Sequence, residues 1–136
     1  MSARSRNKGA RVEREIAQKL DLLLGIRFVR NLEQTRSGGG DLVADHPAFP
    51  FSIEIKARAQ GISCLTAWKE QASKAAAMCG KIPAVIWKFD RQPIRVAVPL
   101  NAIHPTLPSD EWAEVTLPGL AYLAREIMAA QAMEAA

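Results

Sequence analysis

Two cysteines and two histidines are all that the sequence contains. Cys64 and Cys79 stand alone, without Cys-x-x-Cys spacing, which excludes a disulfide framework and a cysteine-rich zinc site. Both are expected as small core residues of a reduced, intracellular protein. His46 and His104 lie far apart, each next to a proline, so they do not pair as zinc ligands. Long apolar runs are missing as well. None reaches the roughly 18 residues that a membrane span requires, and none near the first residue has the form of a signal peptide. No internal repeat and no second domain is evident.

What is present is ample apolar material for one core. The chain has 136 residues and is 49% hydrophobic, which suits a single ordinary domain. The formal net charge is +4, and it is unevenly spread. Residues 1–36 carry nine Lys/Arg against four Asp/Glu, whereas residues 37–136 carry nine against ten. The positive excess therefore lies towards the N-terminal end. It suggests a polyanionic partner, the bland alternative being a solvated basic surface.

Periodicity sets out the elements. Residues 1–8 read as a flexible basic arm. From Gly9, Val12, Ile16, Leu20 and Leu23 recur at three- and four-residue steps, which predicts a helix closed by Gly25. Residues 26–29 alternate as a strand. A polar loop over 31–40 ends in three glycines; a nucleic-acid backbone coming close is one reason for them, a plain linker the other. Ser63 or Thr66 caps a second helix that runs to Cys79, with Leu65, Trp68, Ala72 and Cys79 inward and Gln71, Lys69 and Lys74 off that stripe. Residues 83–89 form a dense buried strand, a turn follows at 90–93, and residues 94–100 pair back. A final helix occupies 118–136, opened by Pro118. Helix, strand, hairpin, helix, strand, strand gives an α/β (α+β mixed) fold, a central mixed sheet flanked by helices.

The chemistry concentrates between Gly38 and Lys56. Residues 42–44 and 51–53 read as two arms of a hairpin broken by Pro47 and Pro50. Folding it between His46 and Pro47 sets Asp41 opposite Glu54, with Cβ atoms about 5 Å apart. Alternation sends Ile53 and Ile55 to a core and leaves Asp41, Glu54 and Lys56 on the second face. Two carboxylates so placed repel unless a cation sits between them. Magnesium takes one or two carboxylates plus waters and phosphate, and the backbone carbonyl of Ile55 adds a third protein oxygen. Lys56 is placed to hold an attacking water or a scissile phosphate. Glu13, on the helix above, can complete the shell or orient a water; its bland reading is a first-turn acid favoured by the helix dipole. The bland reading of the other three is a surface salt bridge worth at most about 1 kcal/mol.

Asp41, then Glu54-Ile55-Lys56 after twelve intervening residues, resembles the PD-(D/E)XK nuclease signature, with Gly40 in the proline position. Lys8-Gly9-x-x-x-Glu13 further resembles the opening of the archaeal-type Holliday junction resolvases. The resemblance covers about residues 6–100. It implies a restriction-endonuclease-like core within a nuclease-like domain over 9–136, in which 101–136 is a C-terminal extension without a family counterpart. It implies catalysis by Glu13, Asp41, Glu54 and Lys56, with Mg²⁺ or Mn²⁺ as cofactor. The partner is DNA, probed first as a four-way junction, and the working form is a homodimer. Arg4, Arg6, Lys8, Arg11, Arg36 and Arg58 are the phosphate contacts it implies, and Gln71 matches a polar helical position near the metal in several branches. The setting is cytoplasmic, a virus or phage source included. A nickase, a flap or repair nuclease, a restriction-like enzyme and a non-catalytic DNA-binding protein are the alternatives.

Overall fold

Val12, Ile16 and Leu20 recur at four-residue steps, and the first helix, α1 (Ala3–Leu24), turns all three into the interior. The structure is a computed structural model that describes residues 3–32 and 39–136. Gly25, at φ +67°, closes α1 and donates its N–H to the Asp21 carbonyl. Glycine adopts this left-handed conformation without a Cβ clash, which is why it ends helices so often. Residues 3–8, expected as a flexible arm, form the first turns of α1 instead. Arg, Asn, Lys and Ala there are all compatible with a helix, and the four-residue apolar step alone marks only its buried half.

The remaining elements are β1 (Phe28–Arg30), β2 (Leu42–Ala44), β3 (Phe51–Arg58), α2 (Thr66–Cys79), β4 (Ile82–Phe89), β5 (Arg95–Pro99), a 3₁₀ turn (Leu100–Ala102), β6 (Trp112–Val115) and α3 (Leu117–Ala135). Among the described residues the strands form two sheets, a β1–β2 pair and a four-stranded sheet ordered β3–β4–β5–β6. β3 and β4 run parallel, joined by the α2 crossover, with Glu54 beside Val85 and Lys56 beside Trp87. β4–β5 and β5–β6 are antiparallel. The expected mixed sheet between helices is thus the fold observed.

Alternation along the strands sorts the core into two layers. Ile53, Ile55, Ala84, Ile86, Val96 and Val98 face α1 and α3. Val85, Trp87, Phe89 and Ala97 face α2, which answers with Trp68 and Ala72. Burying an aliphatic or aromatic side chain of this size contributes about 1.5–3 kcal/mol. The same alternation puts Glu54 on the α2 side of β3, between Ser52 and Lys56.

Four further expectations are corrected. β2 does not ladder with β3 as the second arm of a hairpin; it pairs antiparallel with β1, Arg30 against Leu42 and Phe28 against Ala44. Pro47 and Pro50 cannot donate to a ladder, and Phe49 turns inward to meet Phe28 edge-on at 4.9 Å. That contact draws the link across towards β1. Residues 101–136 are not an appendage: β6 is the sheet's fourth strand, and α3 buries Leu117, Leu120, Ala121 and Ala124. Cys64 is only partly buried and Cys79 is exposed. Neither Ser63 nor Thr66 caps α2, whose N-cap position is Leu65 without a side-chain bond. No helix among the described residues is long and apolar enough to cross a membrane.

Candidate active site

β3 is an edge strand of its sheet, so one row of its backbone groups faces away from β4. Residues 40 and 41 run along that row. Asp41 donates its N–H to the Ile53 carbonyl at 2.6 Å, and its Oδ2 accepts the Ile55 N–H at 2.6 Å. A Cβ on Gly40 would stand 2.1 Å from the Ile53 oxygen. Only glycine fits, and the backbone it admits is the protein's own β3 rather than that of a ligand. Asn31 brackets the same segment, donating Nδ2 to the Gly40 carbonyl at 2.9 Å and its N–H to the Asp41 carbonyl at 2.8 Å. Asp41 therefore lies alongside Glu54, as expected, although no β2–β3 ladder brings it there.

In an extended strand the N–H and C=O of one residue point the same way. The Ile55 carbonyl thus faces the outer edge that its N–H shares with Asp41, while the Ile55 side chain is buried. Glu54 and Lys56 emerge on the α2 side. Gln71 of α2 sits between them: Nε2 donates to Glu54 Oε1 at 2.8 Å, and Oε1 accepts from Lys56 Nζ at 2.6 Å. Lys56 Nζ lies 3.8 Å from Glu54 Oε1. Glu54 is 3% exposed. Its carboxyl is pushed up to about 7, first by burial and then by the Asp41 charge. Lys56 opposes that rise; Glu13 and a hydrogen bond with Asp41 add to it. Burial and a like charge both disfavour the ionised form.

Glu13 belongs to the same electrostatic neighbourhood but reaches it from α1. Its Oε2 accepts from Arg30 Nε at 3.0 Å. Arg30 is the residue that the sequence reading missed. The 26–29 strand stopped one residue short of it, and the only signal was an arginine ending a short alternating run. The structure thus gathers Glu13, Asp41, Glu54, Lys56 and Gln71, with the Ile55 carbonyl, around one strand edge. Arg4, Lys8 and Arg11 follow one another at four- and three-residue steps on α1 and share one cleft. Arg6 is exposed on the same helix. Arg58 ends β3, its guanidinium 5.7 Å from the Trp68 ring centroid. Arg36 lies outside the described residues.

The donor set is one of hard oxygens. Among the described residues no three His, Cys, Asp or Glu side chains come together in a metal-binding group. Two carboxylates and one carbonyl instead fit a cation that keeps several waters, as Mg²⁺ does. A buried carboxyl pushed up by a neighbouring carboxylate is also one whose charge a divalent cation would relieve.

Residues 4–120 match the family described as "Phage putative PDDEXK endonuclease". Among solved structures, the chain is similar to Hjc, a Holliday junction resolvase from the archaeal hyperthermophile Archaeoglobus fulgidus. That similarity has a TM-score of 0.53 at 21% identity and covers 86% of this chain and 98% of that one. At that identity it shows a shared fold. No curated protein matches the chain.

Proposed function

Because the chain belongs to the phage PDDEXK endonuclease family, we propose that it is a divalent-metal-dependent DNA endonuclease that hydrolyses phosphodiester bonds in branched DNA. The observation that carries the reading is the constellation on the edge of β3: Asp41 beside Glu54, and Gln71 hydrogen-bonded to both Glu54 and Lys56. Asp41, Glu54 and the Ile55 carbonyl would hold Mg²⁺, with Mn²⁺ as a substitute. When bound, the ion would supply Lewis acidity and offset charge on the phosphate.

The chain's own residues supply the rest. Lys56, kept extended by Gln71, offers its ammonium to a phosphate oxygen or to the attacking water. Burial sharpens that charge, since a site of low dielectric strengthens each electrostatic interaction in it. Glu13, held by Arg30, orients a water from the α1 side. Arg4, Arg6, Lys8, Arg11, Arg36 and Arg58 contact the backbone and position it without reading sequence.

The preference for a four-way junction rests on the fold shared with an archaeal junction resolvase and on the Lys8-Gly9-x-x-x-Glu13 opening. Fold alone does not fix a substrate, so the test must let substrates compete. A labelled four-way junction, a flap, a single strand and a plain duplex are offered at fixed salt with Mg²⁺. Junction cleavage by paired symmetric nicks, abolished by Asp41→Asn with binding kept, is the expected result. Paired nicks need two active sites and hence a homodimer, which sedimentation checks. Preference for duplex replaces the resolvase reading with a restriction-like or nicking one. Binding without product in either metal defeats the nuclease reading altogether.

A further inference from the structure

The β4–β5 turn carries an arginine in a conformation that arginine rarely takes. Gln92 donates its N–H to the Phe89 carbonyl at 3.1 Å, closing a four-residue turn. Arg91, third in that turn, has φ +59°, the single positive φ at a non-glycine residue among the described residues. Glycine or asparagine is usual in this position, and a branched or bulky residue there is a reason to look for function. Arg91 lines a cleft of about 850 Å³ together with Lys88, Asp90 and the α1 residues Arg4, Lys8 and Arg11. Five cations thus surround one acid. Lys8 Nζ pairs with Asp90 at 3.0 Å, so that acid occupies a cation at the heart of the cluster.

The cleft opens on the side of the sheet that bears α1. Lys88 stands on that side because its strand neighbours Trp87 and Phe89 face α2. Ala59, just past the end of the strand that carries Glu54 and Lys56, is also in the cleft wall.

We propose that Lys88 and Arg91, with Arg4, Lys8 and Arg11, form a phosphate-binding subsite that grips the nucleic-acid backbone away from the cut, and that Asp90 is its internal competitor. Three cations come from one helix and two from the turn that faces it. A phosphodiester lodged in the cleft would accept from both sides and take Lys8 from Asp90. That the backbone held there is also the one cut rests on the nuclease reading; the subsite itself does not.

The test is binding in EDTA, where no cleavage intervenes, of a fluorescein-labelled duplex and four-way junction across a salt series. Arg91→Gly suits the turn better than arginine does, so its melting temperature should equal or exceed that of the parent. Its affinity should fall about three- to tenfold at roughly 0.1 M salt, with the salt slope flatter by about one. Lys88→Gln should act alike. Asp90→Asn, at an exposed site, should tighten binding about two- to fivefold on both DNAs. Unchanged affinity and slope in Arg91→Gly and Lys88→Gln would overturn the subsite, as would weaker binding by Asp90→Asn. Cleavage of the same DNAs in Mg²⁺, by the parent and the cleft variants, separates the two readings. If the parent cleaves nothing and the cleft variants still lose affinity, the subsite stands alone; if cleavage is intact and they bind as the parent does, it falls alone.

Discussion

Gln71 Nε2 donates to Glu54 Oε1 at 2.8 Å, across the space between α2 and the edge strand. The same amide accepts from Lys56. One side chain therefore fixes a carboxylate and an ammonium at once, and it holds the ammonium at 3.8 Å from Glu54 rather than in tight contact. Without it the pair could close into an ordinary salt bridge, which would remove Lys56 from a substrate. Gln71→Ala is expected to cut junction cleavage about 10- to 100-fold, the usual range for a residue that orients a ligand. Affinity measured in EDTA should not move. Gln71→Glu can still accept from Lys56 but sets a third carboxylate beside Glu54, and should be worse than alanine above pH 7.

The raised Glu54 carboxyl has a consequence for folding. The folded value, about 7, exceeds the usual 4.5, so the folded state holds a proton that the unfolded chain has released. The stability tied to that proton is complete below pH 4.5, declines between 4.5 and 7, and is gone above. In metal-free protein Glu54→Gln should therefore stabilise the fold at pH 8, on the order of 2 kcal/mol after allowance for screening. The gain should vanish at pH 4. Chemical denaturation at the two pH values measures it, and a parent chain as stable as the variant at pH 8 would contradict the assignment.

Magnesium should reverse that balance. A cation held by Asp41 and Glu54 favours their ionised forms, so binding releases a proton below pH 7. Thermal shifts with Mg²⁺ are expected to be large at pH 8 and to shrink as pH falls through about 7. Asp41→Asn should abolish the shift at both. A parent shift that stays constant with pH would mean that the ion binds elsewhere.

Much of this was legible in the chain, and what was not has identifiable causes. The Ile53/Ile55 and Glu54/Lys56 alternation announces which residues face which layer, because side-chain direction in a strand depends on parity alone. Asp41 was placed beside Glu54 correctly through a pairing that does not exist. Its position comes from the close approach of Gly40 and two backbone bonds to β3, and Phe49 packing on Phe28 sends β2 to β1. Neither contact leaves a periodic trace. Arg30 escaped because an ion pair between a short strand and a helix depends on tertiary placement. The final helix was legible from its apolar stripe and Pro118, but its place in the core was not, because β6, the strand that ties this end of the chain to the sheet, has only four residues.

Arg30 gives a further test of how α1 is tied to the site. Its bond to Glu13 at 3.0 Å is partly shielded, and Glu13 adds to the charge that burdens Glu54. Removing the guanidinium leaves Glu13 without that partner. Arg30→Ala should lower stability by about 1 kcal/mol and shift the pH dependence of cleavage upwards, since Glu54 then ionises less readily. Arg30→Ala combined with Glu13→Gln should restore the pH profile, though not the lost rate.

Gly40 offers the sharpest structural prediction. A methyl group there would meet the Ile53 oxygen at 2.1 Å, with the Ile53 carbonyl carbon and nitrogen at 2.6 Å. None of these is the yielding end of a side chain, so the backbone itself must part. Gly40→Ala should therefore break the Asp41 N–H bond to Ile53 and pull Oδ2 away from Ile55. A loss of about 2–3 kcal/mol in stability is expected from denaturation. Cleavage should fall to the level of Asp41→Asn, because the carboxylate leaves the strand edge even where the chain still folds. By contrast Gly39 has no neighbour nearer than 3.8 Å, and only its φ of +82° resists a side chain. Gly39→Asn, a residue that tolerates this conformation, should retain most of the activity. Equal losses in the two variants would mean that the loop as a whole, rather than the approach of residue 40 to β3, sets the position of Asp41.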